Sequence, residues 1–494
     1  MKELRPDKSS DVRWAPKTLR SRLLFVGPGL VIAAGVVGSG ELVGTTKVGA
    51  LAGYMLLWLI IIGCLVKTPI QVELARYAIS TGQGTMALLA GLRGPRIMRL
   101  NLVMWFWLIM MVAVIIQLGG IVHGVGQSAA IALPLTGDYN ELLAAQDSWD
   151  AAAVQSGMDS MLESRPTGFT WDDVIWATLA TALTMLLLVR GRYRLIERMA
   201  MILVGLFTLA TLFCLAALQL QTEWAISWAD IGSGLSFRIP PVVEGLTRSP
   251  VAAVLATFGI IGMAATDLIA YPYFCVEKGY AKWTGKRDDS DVWAKRARGW
   301  LNVVRLDAFA AAAAFTIGTV AFYLLGASVL HPQGLDPVGE QMIPTLAKTY
   351  QPVYGTLGVW LFLMGAIAVL YSTLFVSPAG HARVCADALR VAGVGAKTDE
   401  TKDWWVRQFS WLFPLIGLVS MLIIRRPVFL ILAAGIFQSM MLPIVAVVAV
   451  AFRHRTCDKR ILPGRAWDVF LVTCVLILVV MGVWAVGDRI LDVF

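Results

Sequence analysis

The amino-acid sequence predicts an all-α polytopic membrane protein with about eleven transmembrane helices. Two observations predict this fold class. Of the 494 residues, 57% are hydrophobic and 15% are charged, and the mean hydropathy is +0.70. Such composition is not that of a soluble enzyme, and the apolar runs reach the roughly 20 residues that a membrane-spanning helix needs. These runs are centred near residues 24–45, 50–72, 101–133, 173–190, 199–220, 249–274, 302–330, 353–377, 408–424, 427–452 and 467–488.

The chain is predicted to form one membrane domain. Residues 1–22 are basic and polar and indicate a retained cytoplasmic N-terminal tail. Residues 23–494 are expected to form a single transmembrane transporter domain, with repeat one at about 23–220, repeat two at about 246–452 and an extra helix at about 466–488. With the N-terminus cytoplasmic, roughly three quarters of the Lys and Arg residues fall on that side of the cell (inner or plasma) membrane, and the C-terminus is external.

Charge and composition exclude several classes of function. The formal net charge of +9 follows this topology, so it does not indicate a nucleic-acid partner. The six cysteines contain no CxxC pair, which argues against a disulfide framework or a structural zinc site. With four histidines and no nucleophile–base constellation, an enzyme is not expected. We expect no cofactor and no obligate protein partner; the lipid bilayer is the surrounding medium.

The first apolar run contains the feature on which the functional hypothesis depends. Gly38, Ser39, Gly40 and Glu41 stand at its middle. A carboxylate at this depth is rare unless it faces a cavity or a charged partner. The glycines would let the helix unwind, and unwound backbone inside a membrane is stable only where protein or water satisfies it. This favours a cation site at a broken helix; the alternative is a small-residue packing face with Glu41 tied to a Lys or Arg.

A second interrupted run lies five spans later. The sixth span contains Gly259 and Gly262, then Met263, Thr266 and Asp267. Glycine breaks with a carboxylate in two corresponding spans predict two five-span repeats of opposite orientation. The binding site is then expected where the two breaks meet.

Glu41 and Asp267 are predicted to bind a divalent metal cation at this crossing, because two adjacent carboxylates repel each other without one. Gly38 and Met263 would offer carbonyl oxygens, and Thr266 would be a supporting ligand. A ligand set of oxygens, with no histidine, favours a hard ion such as Mg²⁺, Ca²⁺ or Mn²⁺. The alternative is a proton shared by the two acids beside a small organic solute, and spacing does not separate the two.

Other polar residues within the spans carry weaker predictions. Ser39, Gln438 and Ser439 are candidates for the substrate pathway, although packing is the favoured role of Gln438. His123, near the end of the third span, is also a pathway candidate, but a hydrogen-bonded packing role is favoured over a proton relay. Lys67 in the second span is expected to extend to the cytoplasmic surface; the alternative is a pair with a buried acid.

Two further groups of charged residues lie outside the predicted site. The external segment 134–172 is acidic, and it would either concentrate cations or form a solvated, partly helical loop, which is favoured. Arg305 and Asp307 stand two residues apart and so do not face each other on a helix; each is expected to meet headgroups or loops.

Several short motifs have, without gaps, the spacing of a known family pattern. They are Gly27-Pro28-Gly29, Gly49-Ala50, Gly53-Tyr54 and Leu56-Leu57-Trp58 around the first span, and Gln71 to Arg76 with Thr81-Gly82 in the second. Together they resemble the Nramp (natural resistance-associated macrophage protein) family of divalent-metal transporters, over most of the chain. Glu197 and Asp307 also fall where that family carries acids. The resemblance implies a LeuT-like 5+5 inverted repeat with broken helices 1 and 6, and secondary-active or facilitative transport by alternating access.

The sequence departs from the family pattern at the site itself. The family's metal-binding Asp falls on Gly38 and its Asn on Glu41, so the carboxylate is displaced by three residues. The family's Met-Pro-His falls on Thr266-Asp267-Leu268, so its thioether and histidine are absent there. Loss of that methionine is similar to the Nramp-related magnesium transporters, and the chain is expected to be a divergent branch of that kind. Transition-metal selectivity and proton coupling are not carried over.

Overall fold

The computed structural model describes residues 11–156, 166–190, 193–240, 250–395 and 398–491. The predicted all-α fold is confirmed, and in the described chain its helices follow one another at the places where the apolar runs predict spans. Their helices are Pro28–Val36, Val37–Thr45 (a π-helix) and Thr46–Ala52; Leu57–Leu65 and Thr68–Thr81; Leu102–Ala132; Trp171–Val189; Tyr193–Leu218; Pro250–Phe258 and Ala265–Lys278; Asp291–Leu325 with the π-helical end Gly326–Leu330; Thr356–Val391; Asp399–Ile424; Pro427–Arg455; and Arg465–Leu491.

Short elements connect the spans. A two-stranded antiparallel hairpin pairs Arg96–Ile97 with Leu100–Asn101 before the third span. The remaining elements of the described chain are short helices or single turns: Leu19–Leu23, Thr85–Ala90, Asp138–Ser156, Trp228–Gly234, Tyr280–Thr284, Gly339–Gln341, Met342–Ala347, Lys348–Tyr350, Gln351–Tyr354 and Lys459–Ile461.

Most of the spans are single helices that are long and apolar enough to cross a bilayer. In the part of the chain that the structure describes, nine helices are long and apolar enough, and a tenth candidate is the first span, bent by 43° between Pro28–Val36 and Gly40–Ala52. The run predicted as the sixth span forms two helices, Pro250–Phe258 and Ala265–Lys278, and each is too short to cross alone. The chain is therefore a multi-pass membrane protein whose first and sixth spans are interrupted.

The two interrupted spans lie at the centre of the bundle. The first span packs against the seventh and eighth, and the sixth packs against the second and tenth. Glycine permits the close contact between the sixth and tenth spans, because a Cβ on Gly259 would collide with the Gly435 carbonyl. Gly262 has φ of +60°, a backbone conformation that other residues rarely adopt, so the chain can turn between the two halves of the sixth span.

Asp307 fixes the start of the first span. Its side chain is fully buried, Oδ1 accepts the Gly27 N–H at 2.8 Å, and Oδ2 accepts the Gly29 N–H at 2.6 Å and the Tyr271 hydroxyl at 2.8 Å. The carboxylate thus satisfies N–H groups that a helix start leaves without partners. The expectation that Asp307 meets headgroups or loops is wrong, since the seventh span begins at Asp291 and carries Asp307 into the bundle.

Replacing Asp307 with Asn should destabilise the folded protein by about 1–3 kcal/mol, because an amide places its NH₂ group against N–H and O–H donors. The measurement is the free energy of unfolding of the full chain in detergent, compared with Asp289→Asn. Asp289 is exposed on the loop before the same span, so it carries the same change of charge without buried partners. Equal stability of the two variants would contradict this role.

The acidic segment 134–172 is partly helical, as favoured. Within it, Asp138–Ser156 forms a helix, and residues 157–165 lie outside the described part. Asp172 accepts the N–H groups of Leu135, Thr136 and Gly137, and Asp138 accepts those of Trp171 and Asp172. These carboxylates therefore close the segment onto the start of the fourth span.

Candidate functional site

The break in the sixth span creates free backbone groups in the middle of the bundle. The helix Pro250–Phe258 ends, the chain turns at Gly262, and a new helix starts at Ala265. Asp267 lies in the first turn of the new helix, and its Oδ2 accepts the Ala264 N–H at 3.1 Å. A carboxylate at this position is stabilised by the positive end of the helix dipole.

Glu41 joins the two interrupted spans. It lies in the π-helix of the first span and is fully buried. Its Oε1 accepts the Gly262 N–H at 2.9 Å and the Thr319 hydroxyl at 3.1 Å. Its Oε2 is buried and accepts no hydrogen bond from the part of the chain that the structure describes. One oxygen of Glu41 is therefore used in holding the break, and the other remains available.

Lys67 provides a positive charge at the same break. Its ammonium is fully buried and donates to the carbonyls of Phe258 at 2.7 Å and Ile261 at 2.6 Å, where the first half of the sixth span ends. It also interacts electrostatically with both Glu41 and Asp267. The expectation that Lys67 reaches the cytoplasmic surface is wrong, because the second span runs over Leu57–Thr81 and holds Lys67 near its middle.

A polar cavity of about 40 Å³ lies beside Asp267. This volume suffices for a few water molecules or for one small ion. Helices of the first, third, sixth, eighth and tenth spans form its wall, and Glu41 does not reach it. The polar side chains in the wall are those of Gln117, Thr266, Asp267, Thr373, Ser377, His381 and Gln438.

Hydrogen bonds order the polar side of this cavity. The Thr266 hydroxyl donates to Gln438 Oε1 at 2.9 Å, and Gln438 Nε2 donates to Gln117 Oε1 at 3.5 Å. Thr266 and Gln438, both predicted from the sequence, are thus side by side next to Asp267. The side-chain amides of Gln117, from the third span, and Gln438, from the tenth, continue this row of hydrogen bonds across the cavity.

The other predicted residues occupy varied positions. The Ser439 hydroxyl bonds to the Leu255 and Gly435 carbonyls and so joins the sixth and tenth spans. Met263 is buried at the break without reaching the cavity, and Gly38 packs against Thr373 of the eighth span. The Ser39 side chain lies outside what the structure describes.

His123 lies apart from the cavity, in a cluster near the start of the fourth span. Its Nε2 is 3.2 Å from Asp173 Oδ2, and Asp173 also accepts from Arg425 at 3.0 Å and from the Thr170 hydroxyl at 2.6 Å. This arrangement is that of a hydrogen-bonded packing residue, the role favoured from the sequence.

The expectation that no histidine lies at the site is wrong. His381 of the eighth span is buried and lies in the cavity wall. The predicted span ended at residue 377, whereas the helix continues to Val391. Sequence reasoning also missed Gln117 and Thr319, although each is a polar residue within an apolar span, which was the available signal.

The arrangement is not a dense metal centre. Among the described residues, no group of three or more His, Cys, Asp or Glu side chains is placed to hold a metal ion. The carboxylates of Glu41 and Asp267 and the ammonium of Lys67 sum to one negative charge when all three are ionised. Such a site suits a cation that also takes carbonyl, amide and hydroxyl oxygens or retains water.

Comparison with known proteins identifies the family. Residues 160–488, more than half of the chain, match the family described as Nramp, natural resistance-associated macrophage protein-like. The chain belongs to this family. The proteins named Metal transporter Nramp2 from Populus trichocarpa and Arabidopsis thaliana are each 37% identical over 68 residues. That stretch is 14% of this chain and only 13% of each relative's length.

Solved structures of the Eremococcus coleocola manganese transporter have the same fold as this Nramp family chain. One of its mutants superposes with a TM-score of 0.66 at 16% identity, covering 97% of this chain and 91% of that one. Its complex with an aromatic bis-isothiourea compound gives 0.67 at 15% identity, with coverages of 97% and 90%. The predicted LeuT-like fold with broken helices 1 and 6 is confirmed, and so is the family; the magnesium-transporter-like branch stays a prediction.

Proposed function

We propose that the chain is a secondary-active or facilitative transporter of a divalent metal cation that works by alternating access. The observation that carries this proposal is Asp267, a half-buried carboxylate in the wall of a polar cavity between two interrupted spans. Relatives in the family are named metal transporters, and the Eremococcus coleocola protein of the same fold is a manganese transporter. A buried acid beside irregular backbone is the usual form of a transporter's cation site.

The proposed ligands are oxygens from four spans, the first, third, sixth and tenth. Asp267 supplies the carboxylate, Thr266 the hydroxyl, and Gln438 and Gln117 the amide oxygens. Glu41 supplies charge and, once the break moves, its free Oε2. The carbonyls of Gly38 and Met263 are possible additional ligands in a rearranged break. Oxygen ligands favour Mg²⁺ or Mn²⁺, and the nearby His381 imidazole favours a transition metal over Mg²⁺.

Motion of the two repeats would open the cavity to either side. Repeat one, about 23–220, and repeat two, about 246–452, carry the first and sixth spans respectively. Rocking one repeat against the other around a fixed site is the general form of alternating access in such folds. In the proposed topology the protein lies in the inner or plasma membrane, with a cytoplasmic N-terminus and an external C-terminus.

A second candidate is proton-coupled transport of a small organic solute. It is favoured by Lys67, whose ammonium lowers the attraction of the site for a divalent ion and would pair with an acidic group of a solute. Protons would then be carried by Glu41 or Asp267. This candidate and the metal proposal require different ligands, so they can be separated by binding.

We expect the full chain in proteoliposomes to accumulate Mn²⁺ or Mg²⁺ above the level of protein-free liposomes. Calorimetry on the purified protein should give heat with at least one of these ions, and none with an amino acid or an amine. Heat with the organic probes but with no divalent ion would overturn the metal proposal in favour of the second candidate. An interior pH indicator in the same vesicles reports whether protons accompany the flux.

A further inference from the structure

A second polar cavity, distinct from the candidate site, lies where the second and seventh spans meet the segment between the tenth and eleventh. Its volume is about 140 Å³. Arg76, Arg298, Arg305 and Asn302 provide its polar wall, and residues 461–463 close it. We call it the arginine pocket. Among the described residues no carboxylate lies in its wall, and three guanidinium groups converge on the space.

The three arginines differ in what their nitrogens already bind. Arg76 is fully buried; Nε and Nη2 donate to Glu73, and Nη1 donates to the Ile461 carbonyl at 2.6 Å. Arg305 has a buried Nε with no hydrogen-bond acceptor among the described residues. Arg298 is exposed at the mouth and makes only a long 3.4 Å bond to the Ala294 carbonyl. Arg298 and Arg305 therefore retain donors for a ligand.

The charge around the pocket is unbalanced. Glu73 is shared by Arg76 and Arg453, and Asp468 pairs with Arg453. Within the described chain, neither Arg298 nor Arg305 forms an ion pair with a carboxylate. Four arginines thus surround two acids, which leaves an excess of two positive charges. A doubly charged anion would neutralise this excess, and a singly charged one would halve it.

We propose that the arginine pocket binds a phosphate group, held by Arg298 and Arg305 with the Asn302 amide as a third donor. Guanidinium groups match phosphate oxygens in geometry and charge, which makes arginine the preferred residue for this ligand. The Arg305 guanidinium also lies 4.9 Å from the centre of the Trp467 ring. Tryptophan is enriched at the level of lipid headgroups, and basic pockets between spans bind anionic headgroups.

The phosphate can come from an anionic lipid headgroup or from solution, and two measurements separate these sources. In nanodiscs containing phosphatidylglycerol and phosphatidylcholine, native mass spectrometry should show phosphatidylglycerol retained on the full chain if a headgroup fills the pocket. Calorimetry with inorganic phosphate should give saturable heat if the free ion does. Absence of both lipid selectivity and phosphate heat would overturn the proposal.

The variants Arg298→Gln and Arg298→Gln/Arg305→Gln test the pocket itself. We expect about a threefold loss of the bound phosphate species in the first and at least a tenfold loss in the second. Lys295→Gln is the matched control: it lies one turn away on the same helix, is exposed, and is not part of the pocket wall. Because Arg298 is exposed, its single variant should fold even if the double variant does not. Unchanged binding in a folded Arg298→Gln protein, or an equal loss in Lys295→Gln, would refute the assignment.

Discussion

Asp267→Asn should reduce uptake of Mn²⁺ or Mg²⁺ into proteoliposomes at least about tenfold, the largest functional effect that we expect from a single substitution. Asp267 is the carboxylate in the cavity wall, so its charge acts on a bound cation at short range. Asparagine keeps the size and one acceptor oxygen but removes the charge. The measurement is initial flux at several ion concentrations, which separates weaker binding from slower turnover.

Glu41→Gln belongs to the same experiment, with flux also expected to fall at least about tenfold. Its Oε1 would still accept the Gly262 N–H, so the break can persist while the buried charge is lost. Asp289→Asn, an exposed change of the same kind outside the site, should transport normally. Near-normal flux of both ions in folded Asp267→Asn or Glu41→Gln protein would show that the corresponding carboxylate does not serve the cation.

The sequence predicts the spans well because hydropathy is a local property of the chain. Predicted and observed spans coincide, and the two glycine breaks lie where they were expected. Span ends were less accurate, with consequences for the site. The second span was placed at 50–72 instead of Leu57–Thr81, and the eighth ended at 377 instead of Val391. Lys67 is therefore expected at a membrane surface, and His381 falls beyond the predicted end of its span, although both are buried in the bundle.

The partners of the predicted acids could not be obtained from one sequence. Glu41 and Asp267 stand out because a carboxylate within an apolar span is rare. Depth in the membrane does not indicate which side of a helix faces which neighbour. The contacts of Glu41 with Gly262 and Thr319, and of Lys67 with the end of Pro250–Phe258, depend on helix rotation and packing across spans. The family resemblance does not predict these contacts either, because at the site this sequence departs from the family's motifs.

Lys67→Met should destabilise the full chain by about 3–5 kcal/mol, the largest expected effect on stability, because it leaves buried charge without its partner. The carbonyls of Phe258 and Ile261 would lose their donor, and Glu41 and Asp267 would each lose the nearby positive charge. The measurement is the free energy of unfolding in detergent. Lys295→Met, on an exposed helix surface, should change it by less than about 0.5 kcal/mol.

The double variant Lys67→Met/Glu41→Gln separates charge balance from simple packing. If Lys67 stabilises the break by compensating Glu41, removing both charges should destabilise less than the sum of the single changes, by about 0.5–3 kcal/mol. Strictly additive losses would mean that Lys67 acts only through the two carbonyls. The single variant Lys67→Met also tests transport. It keeps both acids, so the site gains net negative charge. A divalent cation should then bind more tightly to the folded protein, whereas an acidic organic solute should bind less tightly.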